Sequence, residues 1–161
     1  MRQLILNVKG ASNTGKSSTI RTLYKEIVKT ANYDSLEIFD TNHKPATDVA
    51  EDFVCVFNIR GVLIGLASQG DALNQVKSHF NFLTNVKKAQ IIVCATRSRG
   101  GSVDFIKSHQ ESGFEVLLYQ TSYKKTEIEQ TNANCYKAIV ILEKIYGRIC
   151  VDKQIFQTYQ S

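Results

Sequence analysis

Eight consecutive residues, Gly10-Ala11-Ser12-Asn13-Thr14-Gly15-Lys16-Ser17, fit the spacing G-x-x-x-x-G-K-[ST] without a gap. The chemistry this pattern serves is the holding of a phosphate chain. Two glycines let a loop wrap tightly, so that successive backbone N–H groups turn inward toward phosphate oxygens. A helix starting near Gly15 adds the positive end of its dipole. Lys16 supplies a point charge that reaches the outer phosphates, and the Ser17 hydroxyl is an oxygen ligand of the kind Mg²⁺ prefers. Ser18 joins the candidate nucleotide-binding set as the next residue of that first helical turn.

The flanking sequence suits this use. Leu4, Ile5, Leu6 and Val8 make an apolar run that reads as a strand ending at Gly10. After the loop, Ile20, Leu23, Tyr24, Ile27 and Val28 recur at helical spacing and define one apolar face. Strand, loop and helix in this order resemble the P-loop NTPase superfamily, and within it the small members that include nucleotide kinases and Ras-like GTPases. The resemblance rests on residues 4–28. It implies a nucleoside triphosphate ligand with Mg²⁺, held by residues 10–18. A fold or motif of this kind does not by itself identify a reaction.

The resemblance also implies a second acidic or polar group at the end of the strand beside the phosphate loop. The expected position is the end of the run 62–71, "VLIGLASQGD". Where GTPases carry D-x-x-G, this chain has Ala67-Ser68-Gln69-Gly70, with Asp71 after the glycine. Gln69 is a candidate for orienting a water. Asp71 is a candidate for Mg²⁺ or for the N-cap of the next helix. Asp40, which closes another apolar run, is the second candidate for metal or base, against an ordinary turn aspartate. Arg97 and Arg99, in "TRSRGG" at 96–101, are candidates for a phosphate clamp, with Gly100 and Gly101 letting that loop move. The guanine-reading N-K-x-D pattern is missing, so ATP is favoured over GTP. The segment "QTSYKK" at 120–125 has only faint similarity to a base-contacting loop. His43, His79 and His109 are isolated along the sequence and read as surface or helix residues rather than ligands. Tyr119, Tyr123, Tyr136, Tyr146 and Tyr159 read as core packing or a homodimer surface.

Further elements are expected around these residues. Strands are expected at 35–40, 53–59, 62–68, 91–96 and 114–119. The runs 53–59 and 62–68 are separated only by Arg60 and Gly61, which predicts a hairpin. Leu73, Val76, Phe80 and Leu83 mark a helix, a short helix is expected after Ser102 as N-cap, and a late helix from about Asn132 is expected to break near Gly147. Strands alternating with helices predict an α/β three-layer sandwich with a mainly parallel sheet of about five strands and one antiparallel edge strand, in a single domain over residues 1–161. Ligands then bind beyond the strand C-termini, at loops 10–16, 68–71, 96–101 and 120–125.

Composition narrows the classes. With 161 residues, 43% hydrophobic and 22% charged, the chain is neither disordered nor fibrous. Its apolar runs fall far short of the roughly 20 residues of a membrane span, and no secretory signal pattern opens it. A cytoplasmic location is the expectation. The four cysteines form no C-x-x-C pair and read as free thiols. The net charge of +5, spread without a long basic run, suits a nucleic acid or a phosphate-bearing small ligand and decides nothing alone; nucleic-acid binding through the basic loops is the weakest reading. Two function classes follow: an enzyme transferring the γ-phosphoryl group of ATP to water or a small acceptor, and a nucleotide-dependent switch that binds a protein partner with little or no hydrolysis.

Overall fold

A computed structural model describes residues 1–159 of the chain, with side chains through Val151. Its strands are β1 (Leu4–Lys9), β2 (Ser35–Phe39), β3 (Pro45–Ala46), β4 (Val54–Ile59), β5 (Val62–Ala67), β6 (Ile91–Thr96) and β7 (Glu115–Gln120). Its helices are α1 (Lys16–Thr30), α2 (Leu73–Asn81), α3 (Gly101–Ser108) and α4 (Glu127–Tyr159). A single π-type turn over Phe82–Val86 extends α2.

All seven strands join one mixed sheet in the order β3-β2-β4-β5-β6-β1-β7. The block β5-β6-β1-β7 is parallel, whereas β4, β2 and β3 each run antiparallel to the preceding neighbour. This corrects the expected sheet of about five strands with one antiparallel edge strand. The reason is connection length and type. Parallel neighbours need a crossover, usually helical. The β4–β5 link is a two-residue turn, and the stretch from β2 to β4 holds only β3 and loops. Arg60 and Gly61 both take positive φ, 53° and 83°, the pattern of a primed hairpin turn. Asp34 and Asn58 secure it by accepting the Arg60 and Gly61 N–H groups at 3.0 and 2.9 Å.

Alternation along the strands builds two cores. Leu4, Leu6 and Val8 of β1, Ile64 and Leu66 of β5, and Ile91, Val93 and Ala95 of β6 pack with Ile20, Leu23 and Ile27 of α1 and Ala138, Ile141 and Ile145 of α4. On the other face, Ile5, Ala67, Ile92 and Cys94 meet Val76 and Phe80 of α2, Leu83, and Ile106 of α3. The helices therefore cover both faces and leave the loop ends of the parallel block as one open edge.

Two helix boundaries differ from the sequence reading. The first residue of α3 is Gly101, and Ser102 lies inside the helix, where its Oγ accepts the Arg97 N–H at 3.1 Å. Helix α4 begins at Glu127 because Thr126 and Glu129 form a reciprocal capping box, each side chain accepting the other's N–H at 3.2 Å. It continues through Gly147, since flanking packing from Ile145 and Ile149 outweighs the roughly 1 kcal/mol that a helical glycine costs. Tyr119 and Tyr146 pack against the first core, while Tyr123 and Tyr136 are exposed. The Tyr159 side chain lies outside the described residues. Cys55 and Cys94 are buried, and Cys135 and Cys150 are exposed. Among the described residues no helix is long and apolar enough to cross a membrane.

One buried polar pair ties β1 to β6 next to the loops. Thr96 Oγ1 donates to Asn7 Oδ1 at 3.1 Å and accepts from Asn7 Nδ2 at 3.0 Å, both residues fully buried. Thr96→Val leaves the Asn7 amide unpaired and should cost about 1–3 kcal/mol. Combining it with Asn7→Val should recover much of that loss. Urea unfolding of the two single variants and the double variant checks this, and simple additivity would contradict it.

Candidate functional site

The loop between β1 and α1 is shaped by two residues in left-handed conformation, Asn13 at φ 59° and Gly15 at φ 88°. Such alternation turns consecutive N–H groups to one side of the chain. Among the described residues, the N–H groups of Asn13 and of Gly15 through Ser18 donate to no acceptor. Gly15 is required on two grounds. Its φ suits glycine, and a Cβ there would lie 2.2 Å from Asn134 Oδ1.

Lys16 is folded back into this loop and is only 6% exposed. Its Nζ donates to the Gly10 and Ala11 carbonyls at 3.0 and 2.9 Å and to Asp71 Oδ1 at 3.3 Å. Thr14 Oγ1 closes the loop by bonding to Ala11 O at 2.8 Å and to Thr121 Oγ1, just past β7, at 2.7 Å. Ser17 Oγ donates to the Ser68 carbonyl at 3.0 Å, which links α1 to the loop after β5. That loop presses against β6 at Gly70, where a Cβ would sit 2.1 Å from Ala95 O.

Strand β5 is not the neighbour of β1 that the sequence reading expected, because β6 lies between them. Asp71 nevertheless reaches the loop. It pairs with Lys16 and, at 3.6 Å, with Arg97 Nε. Arg97 also donates to Ser12 Oγ at 2.6 Å and to the Asp71 carbonyl at 3.3 Å, so it spans the loop's rim. Arg99 is exposed and makes no side-chain hydrogen bond among the described residues. Asp40 does not join this group. Its Oδ1 accepts the Asn42 and Lys44 N–H groups at 2.8 and 3.0 Å and so closes the β2–β3 turn. Gln69 is turned away as well. Its Oε1 accepts from His79 Nε2 at 2.9 Å, and His79 Nδ1 in turn accepts from His43 Nε2 at 2.8 Å.

Two clefts flank the loop. One, of about 290 Å³, is lined by Asn13 to Ser18 together with Glu51, Asp52 and Asp71. The other, of about 200 Å³, is lined by Thr14, by Gln120, Thr121, Ser122 and Lys124, and by the start of α4, including Gln130, Asn134 and Lys137. Thr14 faces both. Among the described residues no group of three or more His, Cys, Asp or Glu could hold a metal unaided. The donors that do line the first cleft are hydroxyl and carboxylate oxygens. They suit a hard cation that keeps several waters and shares phosphate oxygens.

Sequence reasoning missed Asp52, Gln130 and Asn134. The last two lie four residues apart, in line with the buried face that continues at Ala138. A polar pair at helical spacing ahead of an apolar stripe was the available signal. Gln130 Nε2 donates to the Thr14 carbonyl at 3.1 Å and to Asn134 Oδ1 at 3.0 Å, clamping the loop from outside. No protein-family model matches the chain, and neither does any curated protein or any solved structure.

The histidine pair has a consequence for acid stability. Burial, and the nearby His43, push His79 down from 6.5 to about 4, and burial lowers His43 as well. Above pH 6.5 His79 is neutral whether folded or not. As pH falls from 6.5 toward 4, the unfolded chain takes up a proton that the folded chain refuses, so stability falls across that window. His79→Gln should lessen this loss by on the order of 1–2 kcal/mol, discounted from the full shift because the pair keeps some contact with water. Urea midpoints of both proteins from pH 7 to pH 4 provide the comparison.

Proposed function

We propose that this protein binds a nucleoside triphosphate, ATP in preference to GTP, together with Mg²⁺, and transfers its γ-phosphoryl group to water or to a small acceptor. The observation that carries the reading is the set of unpaired N–H groups of Asn13 and of Gly15 through Ser18 around the buried ammonium of Lys16. Such a set with a fixed cation is what a polyphosphate requires, and it requires little rearrangement of the backbone. Lys16 would stabilise charge on the outer phosphates. Arg97, already against Ser12, would complete a clamp from the opposite rim. Arg99 would add charge from solvent.

Ser17 and one carboxylate of the cleft would hold Mg²⁺, which when bound neutralises charge on the phosphate oxygens. The second cleft, beside Thr14, is where the base and sugar would extend. Its polar lining of Gln120, Ser122 and Asn134 offers both donors and acceptors.

A switch that binds a protein partner in its triphosphate state, with little hydrolysis, is the second reading. The specific support is Gln69. The residue that would orient an attacking water is committed to His79. Acceptor-stimulated ADP release favours the enzyme. Negligible turnover with partner binding only in the triphosphate state favours the switch.

A thermal-shift series with ATP, GTP, ADP and AMP, with and without Mg²⁺, tests the shared premise. At a hundredfold excess over Kd, ligand linkage stabilises by about 2.7 kcal/mol, or about 5–10 °C for a chain of this size. The expected order is Mg-ATP above Mg-GTP, with AMP without effect. Lys16→Ala should abolish the shift. The absence of any shift at millimolar nucleotide would refute the proposal.

A further inference from the structure

The resemblance to P-loop proteins places the metal-facing acid at the end of the strand that here is β5. In this chain that position is Ala67, which has no acid to offer, and the residue after it is Ser68, a fully buried serine. Its hydrogen bonds join it to two other segments of the chain. The Ser68 carbonyl accepts the Ser17 hydroxyl at 3.0 Å, while its own Oγ lies 3.2 Å from Asp52 Oδ1 and accepts the Phe53 N–H at 2.9 Å. The Oγ–H has Asp52 and, at 3.4 Å, the Phe53 carbonyl as acceptors. The ionised one is closer and forms the stronger bond. Ser68 thus bridges the hydroxyl of Ser17 to a carboxylate that belongs to another segment.

We propose that Asp52, delivered by the segment before β4, is the carboxylate that receives the divalent cation accompanying the bound phosphates, and that Ser68 is its positioning residue. The assignment rests on the nucleotide reading given above. Two observations favour Asp52 over Asp71. The Asp71 charge is already offset by Lys16 and Arg97, whereas Asp52 forms no ion pair among the described residues. Asp52 is also held in place. Its segment is anchored to α1 by Arg21, whose guanidinium donates to the Ala50 carbonyl at 2.5 Å and to the Glu51 carbonyl. Glu51, the other acid of the cleft, is exposed, and no side-chain hydrogen bond fixes its carboxylate among the described residues. A carboxylate with uncompensated charge and one oxygen fixed is the one a hard cation meets without first breaking a salt bridge.

The test is ATP affinity by calorimetry in Mg²⁺ and in EDTA, read as the ratio of the two Kd values. Native protein should bind more tightly with Mg²⁺. Asp52→Asn should cut the ratio at least tenfold while binding metal-free ATP as well as before or better, because a negative charge facing the phosphates is gone. Ser68→Ala should lower the ratio in the same direction by a smaller factor, with metal-free binding intact, a split that general destabilisation would not produce. Asp71→Asn should leave the ratio within about threefold. An unchanged ratio in Asp52→Asn, or a loss confined to Asp71→Asn, overturns the assignment and spares the nucleotide reading. Failure of the native protein to bind ATP in either buffer overturns both.

Discussion

A buried ammonium group organises this molecule's open edge. Taking a charged lysine out of water is costly unless every proton finds an acceptor. Lys16 meets that demand with two carbonyls of its own loop and one carboxylate from the loop after β5. The loop must curl to bring the carbonyls of Gly10 and Ala11 together, and the curl turns its N–H groups toward the cleft. Asp71 must be within reach, which fixes the loop after β5 against β6. Arg97 then lies across the rim because the same carboxylate attracts it.

The rest of the fold serves this arrangement from outside. The parallel block β5-β6-β1-β7 brings four strand ends to one edge, and three of the following loops meet the first through Asp71, Arg97 and Thr121. Helix α4 closes the far side with Gln130 and Asn134. The antiparallel part of the sheet contributes differently. The β4–β5 hairpin sets Phe53 beside Ser68, so the acids preceding β4 face the same cleft as the hydroxyl at the start of α1.

Local signals were legible in the sequence where neighbouring residues decide the structure. The run from Leu4, the loop 10–17 and the apolar face of α1 needed only spacing and composition, and so did the hairpin at Arg60-Gly61. The candidate site was legible at Lys16, Asp71 and Arg97 because each follows a strand at the same edge. Other features depend on distant partners. The direction of β2 follows from the absence of a crossover helix. Asp52 lay in a polar stretch with no pattern of its own, and only Ser68, sixteen positions away, gives it a place. Gln69 and Asp40 had suitable chemistry, yet His79 and a local turn claim them. The capping box at Thr126 and Glu129 was present in the sequence and is what moves the start of α4 ahead of Asn132.

The thiols offer a use unrelated to catalysis. Burial holds Cys55 well above the ordinary thiol range and pushes Cys94 up to about 12, so neither forms the reactive thiolate at neutral pH. Cys135 and Cys150 are exposed on the same helix, fifteen positions and thus about 22 Å apart along one rod. Cys135 lies in the chain between Asn134 and Tyr136, which both line the second cleft, and Cys150 borders a groove near the opposite end. The native chain therefore carries two attachment points for fluorescent dyes, one beside the cleft and one remote from it as an internal reference, with no engineered cysteine needed.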